Sequence, residues 1–201
     1  IAAMPPASGP SLYLNPGTSV AEAKALGVKY VACPYIPHPD TGFHEEICRK
    51  AAADFNVWGE AFAKEGITFA YHPHGFEFLA HGDEKMLDLL IQQTRPECVS
   101  FEMDVFWIVQ GAQDPVRWLE KYPNRWVLMH LKDLRKGAAV GRDPKQTPKT
   151  DQVALGEGRM DWPAILRTAE KVGIKHYFIE DESAAVEDQI PVSQRYLKSL
   201  Q

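Results

Sequence analysis

No run of apolar residues in this 201-residue chain approaches the roughly 20 needed to span a bilayer, so no membrane partner is expected. Cysteine is scarce: Cys33, Cys48 and Cys98 are odd in number and widely spaced. They form neither a disulfide framework nor a metal-binding Cys pair, and they read as free buried thiols. Cationic excess is also missing, with 22 Lys and Arg against 27 Asp and Glu, a net charge of −5. That balance argues against nucleic acid or an anionic membrane as the main partner. No internal repeat, low-complexity tract or domain linker stands out. The start, "IAAMPPASGP", has no basic stretch followed by an apolar run, and the default expectation is a cytoplasmic protein. Because the first residue is Ile1 rather than Met, the chain reads as processed or incomplete.

What is present is ordinary for a globular protein: 45% apolar and 24% charged residues, enough for one domain with a sizeable core. Residues 1 to 19 are rich in Pro, Gly and Ser and read as irregular. Strands and helices then alternate. "SVAEAKALG" reads as a short helix ended by Gly27, and "VKYVACPYI" as a strand. Residues 43 to 65 carry Ile47, Ala51, Phe55, Trp58 and Phe62 at helical spacing. "ITFAYH" is the next strand, "KMLDLLIQQT" a helix, and "VSFEMDVFWI" a strand. "DPVRWLEKY" opens with Asp114 as cap and Pro115 in the first turn. "WVLMHLKD" is a strand, "DWPAILRTAEKVG" a helix, "HYFIED" a strand and "VSQRYLKSL" a last helix. This alternation predicts βαβ units around a parallel sheet. One long irregular segment, residues 135 to 158, follows a strand directly and reads as a functional loop over a site.

Strand side chains alternate between faces. Ala70, His72 and His74 share one face of the third strand, and Glu102 and Asp104 one face of the fourth. Leu128, His130 and Lys132 share a face of the fifth, as do Phe178, Glu180 and Glu182 of the last. Four successive strands thus end in ionisable groups on one face. In a parallel barrel those ends meet at one rim, where the active site is built. The convergent set is His72, Asp104, His130 and Glu180. Two imidazoles and two carboxylates suit a divalent cation such as Mn²⁺, Zn²⁺, Co²⁺ or Mg²⁺. The bland alternative for any one of them is a satisfied polar group or a helix cap, which four in register make weaker. His38, His44, His81 and His176 read as surface residues, and Trp58, Trp118, Trp126 and Trp162 as core or interface. Trp107, three residues past Asp104, is either a wall of a sugar pocket or packing. Gly156 and Gly158 of "GEG" form either an anion-holding turn or a plain lead-in to a helix capped by Asp161. Glu182 is a further candidate on the substrate side, or the salt-bridge partner of Lys132, with Asp133 as the other choice.

Five segments, "GITFAYHPHGFEF", "FEMDVFWIVQGAQDPVRWLEKY", "VLMHLKDLRKG", "ALGEGRMDWPAIL" and "HYFIEDES", together resemble the sugar phosphate isomerase/epimerase family. The resemblance runs from about residue 20 to the C-terminus, and the motifs keep their order. It implies a xylose isomerase-like TIM barrel, an α/β (β/α)8 fold, with one divalent metal at its top and a small sugar as substrate. In similar ketose 3-epimerases a Glu, Asp, His, Glu set binds metal, and its two Glu residues move protons beside the carbonyl. Asp104, His130 and Glu180 match the last three of that set. The first Glu falls where this chain has His72. Two-base epimerisation then needs His74 or Glu77 as the other base, or the chemistry differs. The His-x-His subgroup is also similar to enzymes that eliminate or hydrate keto-glycosides, which need one strong base.

The resemblance therefore implies first a metal-dependent isomerase or epimerase acting on a ketose, possibly phosphorylated, with Glu180 as base and His74 or Glu77 returning a proton. Lys132 would hold a polarised oxygen or an anionic substituent. A lyase or hydratase acting on a 3-keto-glycoside is the alternative. An endonuclease IV-like nuclease and a non-catalytic sugar-binding barrel stand behind these. The five strands match the last five βα units of such a barrel, so residues 1 to 201 read as a single barrel domain that either lacks its N-terminal third, the favoured reading, or is completed by a partner. Homo-oligomerisation is left open.

Overall fold

The computed structural model describes residues 2–3, 16–39, 42–141 and 147–200. The chain divides into two compact units, one of residues 1–73 and 77–102, the other of residues 74–76 and 103–201.

In the first unit β1 (Ala2–Ala3), β2 (Tyr30–Cys33) and β3 (Thr68–Tyr71) run parallel, with α1 (Pro16–Ala25) and α2 (Glu45–Ala63) between them. A short antiparallel hairpin, β4 (Ala80–His81) and β5 (Glu84–Lys85), leads into α3 (Met86–Gln93). The strand β6 (Val99–Asp104) then pairs with β3 in parallel, Tyr71 opposite Phe101. The helical spacing of α2 produces the core here. Phe55, Trp58 and Phe62 are buried and meet the rings of Phe69 and Tyr71 on β3, Phe55 at 5.0 Å from Tyr71 and Phe62 stacked 6.0 Å from Phe69. These contacts identify the α2 face of β3 as the one carrying Phe69 and Tyr71. Ala70 and His72 alternate to the other face. Gly59 lets α2 approach the start of β6: a Cβ there would overlap the Cys98 carbonyl oxygen.

In the second unit α4 (Val105–Gln110) follows β6 directly, and α5 (Pro115–Lys121) leads to β7 (Trp126–Leu131). Asp114 caps α5, taking the Val116 N–H at 2.9 Å, as its position before Pro115 predicts. A small antiparallel pair, β8 (Asp133–Leu134) and β9 (Gln152–Val153), precedes α6 (Trp162–Lys171). The strand β10 (His176–Ile179) pairs in parallel with β7, Phe178 opposite His130, and α7 (Val186–Ser199) ends the unit. Trp58, Trp118, Trp126 and Trp162 are all buried.

Three boundaries differ from expectation. The stretch "VSFEMDVFWI" does not stay a strand to Ile108: it becomes helix at Val105, because the Asp104 carboxylate accepts the N–H of Phe106 at 2.8 Å and of Trp107 at 3.3 Å. The irregular reading of residues 1 to 19 fails at Ala2–Ala3 and at Pro16, where α1 begins with proline in its tolerated first position; residues 4–15 lie outside the described residues. Helix α7 starts six residues before Val192 and runs through Pro191, giving up one backbone hydrogen bond there. Among the described residues no helix is long and apolar enough to cross a membrane.

Candidate metal centre and its surroundings

The parallel register of β3 and β6 builds the first unit's share of the site. Tyr71 faces Phe101, so His72 stands opposite Glu102. The His72 N–H donates to the Cys33 carbonyl at 3.0 Å, extending the β2–β3 ladder by one residue. His72 and Glu102 are both buried, and His72 Nδ1 lies 3.1 Å from Glu102 Oε2. Sequence reading placed Glu102 on the correct face and passed it over, since sharing a face does not reveal a partner.

Glu77 is elsewhere. It sits in a single 3₁₀ turn, Phe76–Phe78, fully buried, and accepts the Tyr71 phenol proton. Tyr71 belongs to the α2 face of β3, opposite to that of His72. Cys48 of α2 shows the same placement: burial, with the Glu77 charge second, pushes its thiol up to about 12. The structure thus brings Glu77 to Tyr71, whereas it was expected as a replacement for the missing carboxylate. The 3₁₀ turn carries it to the helix side of the strand.

In the second unit Asp104, fully buried at the end of β6, uses Oδ1 to cap α4, and its Oδ2 lies 3.9 Å from His130 Nδ1. His130 Nδ1 is 3.0 Å from Glu180 Oε2. Parallel pairing sets this up: Ile179 faces Leu131, and the Glu180 N–H donates to the Leu131 carbonyl at 3.1 Å. A buried carboxylate and a partly exposed one thus flank one imidazole, a donor set that fits a borderline divalent cation.

Lys132, only 2% exposed, donates to Glu182 Oε2 at 2.8 Å and to Glu180 Oε2 at 3.3 Å. Its ammonium also lies 5.3 Å from the Phe106 ring and 5.6 Å from that of Trp107. Burial alone would lower its pKa; the carboxylates of Asp104, Glu180 and Glu182 outweigh it and hold the group above its usual range. For Glu182, burial acts upward, and Lys132 pulls the carboxyl below its ordinary value. The salt bridge runs to Glu182 and Glu180 and leaves Asp133 out. Glu182 is tied further, since Gln152 Nε2 donates to it at 3.3 Å and its own N–H donates to Gln152 Oε1 at 2.7 Å. In this geometry it acts on Lys132 and on the β9 segment rather than as a substrate contact. The His74 and Trp107 rings are 5.6 Å apart, so Trp107 has His74 and Lys132 as neighbours.

The glycine turn already holds a carboxyl group, and that group is internal. Asp133 Oδ2 accepts the N–H of Gly156 at 3.0 Å, of Gly158 at 3.3 Å and the Trp162 indole N–H at 2.8 Å. A Cβ on Gly158 would overlap the same carboxylate. The reading of Gly156 and Gly158 as substrate contacts is corrected accordingly. Burial raises the Asp133 pKa despite these donors. The loop reading of residues 135 to 158 falls partly on residues 142–146, outside the described residues. Its flanks are anchored by Arg135 Nε to Asp151 at 3.0 Å and Gln110 Nε2 to Thr147 at 2.7 Å.

The chain is 28% identical over 143 residues to inosose dehydratase of Geobacillus thermodenitrificans, covering 68% of this chain and 47% of that protein. It spans about half the length of the curated relatives it matches. A crystal structure named sugar phosphate isomerase/epimerase, from Parabacteroides distasonis, superimposes with a TM-score of 0.75 at 27% identity, covering 94% of this chain and 65% of the other. The fold is also that of the IOLI protein solved with a zinc atom, at TM-score 0.73, 16% identity, and coverage of 94% and 68%. A family model described as xylose isomerase-like TIM barrel matches residues 18–200, and the chain belongs to that family.

Proposed function

We propose that this chain carries the active-site part of a divalent-metal-dependent lyase that removes water or an alcohol from a polyhydroxylated ketone, such as an inosose or a 3-keto-glycoside. We take His72, Asp104 and His130, with Glu180 added from the family resemblance, as its metal-binding set. The carrying observation is the position of Glu77. With that carboxylate bound to Tyr71 on the α2 side, and with His72 where related epimerases carry a Glu, we take Glu180 as the base and His74 as the proton donor among the described residues. Elimination needs one base; two-base epimerisation needs another on the opposite face of the substrate. The dehydratase relatives point the same way.

A divalent ion, when bound, would supply Lewis-acid polarisation of the substrate carbonyl. Glu180 takes the proton from the carbon alpha to that carbonyl. The C–O bond at the beta carbon then breaks, its electron pair leaving with oxygen, and a carbon–carbon double bond forms between the alpha and beta positions. His74 returns a proton to the departing oxygen, completing water or the alcohol. Lys132, kept cationic by its carboxylates, holds developing negative charge on oxygen and does not shuttle the proton. Trp107 offers an apolar wall to a sugar face.

The second reading is an isomerase or epimerase, favoured by the Parabacteroides distasonis structures and sharing the first proton abstraction. Incubating the full-length protein with keto-polyols and keto-glycosides in D₂O, followed by NMR, separates the two. An unsaturated ketone with release of water or aglycone supports the lyase. An inverted product carrying deuterium at the alpha carbon would replace that reading with epimerisation.

A further inference from the structure

We infer that Glu102 is a positioning residue of the metal centre, orienting His72 and supplying behind it the negative charge that His72 itself lacks. This rests on the reading of His72 as a ligand. Glu102 and His72 are buried, stand opposite each other in the β3–β6 register, and meet through Nδ1 and Oε2 at 3.1 Å. A carboxylate there accepts the Nδ1 proton and fixes the tautomer whose lone pair is on Nε2, the nitrogen on the far side of the ring. An imidazole so held is a stronger and better oriented donor.

The arrangement also answers a question of charge. Related epimerases hold metal with three carboxylates and one imidazole. Replacing the first Glu by a neutral imidazole removes one negative charge from the set. Glu102 restores it one residue layer back, two positions before Asp104 on the same strand. Strand β6 thus carries a ligand at Asp104 and the support of another ligand at Glu102. The pair is buried on both sides, with side-chain exposures of 6% and 3%, so the charge acts with little screening by water.

The test is Mn²⁺ and Zn²⁺ affinity of the metal-stripped full-length protein, by competition with a chromophoric chelator, for wild type, Glu102→Gln, Glu102→Asp, His72→Ala and the His72→Ala/Glu102→Gln double variant. Melting curves of the stripped proteins report folding. Glu102→Gln keeps shape and loses charge, and should weaken binding about 10- to 100-fold. Glu102→Asp should keep more of the affinity, because charge is retained. Glu102→Gln should add little in the His72→Ala background, because its effect passes through the imidazole. Full affinity in Glu102→Gln, with loss in His72→Ala, overturns this inference alone. Full affinity in His72→Ala overturns the reading of His72 on which it rests. Equal, independent losses in single and double variants would make Glu102 a general structural residue.

Discussion

Tyr71 donates its phenol proton to Glu77, and both side chains lie on the α2 side of β3, away from His72. This pair supports the fold and leaves the chemistry to other groups. Tyr71→Phe removes a hydrogen-bond donor from a buried carboxylate and should cost about 1–3 kcal/mol of stability. Metal affinity should not change. Urea denaturation and chelator competition on the same preparation check both statements.

Lys132 and Glu182 set a pH window. The depressed Glu182 contributes stability present above its ordinary value of 4.5 and lost as pH falls through its lower folded value. The elevated Lys132 contributes stability fully present below 10.5 and lost as pH rises through its higher folded value. The pair's contribution is therefore flat between those limits, and Lys132→Met should remove the part of the fall in melting temperature below pH 4.5 and above pH 10.5 that this pair causes. The alkaline limb of the activity profile should not come from Lys132 below pH 10.5. Lys132→Met should depress turnover about 100-fold or more, since a buried cation facing oxygen is removed.

The internal carboxyl group of Asp133 makes the glycine turn structural. Asp133→Ala would leave the buried Gly158 amide and Trp162 indole, and the part-buried Gly156 amide, without this acceptor, a loss of about 2–3 kcal/mol. Sulfate or phosphate should show no saturable binding at this turn in the wild-type protein, by isothermal titration.

Gly59→Ala should destabilise by about 1–3 kcal/mol, because the added methyl meets the Cys98 carbonyl oxygen and α2 must shift. Thermal melting of the first unit's tryptophan signal, from Trp58, would report it.

Alternation on strands made His72, Asp104, His130 and Glu180 nameable as candidates from residue order, because each lies at or within one residue of the end of a regularly paired parallel strand. It could not reach Glu77, which sits in a 3₁₀ turn where period-two logic does not apply. The β6–α4 junction was hidden for another reason. "VFWIV" is apolar on every side, as buried strands are, and only the cap on Asp104 shows where it turns helical. The glycine turn was readable only as either an anion holder or a plain lead-in to the helix capped by Asp161. Its occupant was not, because Asp133 lies more than twenty residues before it in sequence and reaches it only through the β8–β9 pairing.

The most direct test is the metal content of the purified full-length protein and of its Asp104→Ala variant, by inductively coupled plasma mass spectrometry. The account predicts about one divalent ion per chain in the wild type and its loss in Asp104→Ala. A wild type without metal, or a variant that retains it, would contradict the account.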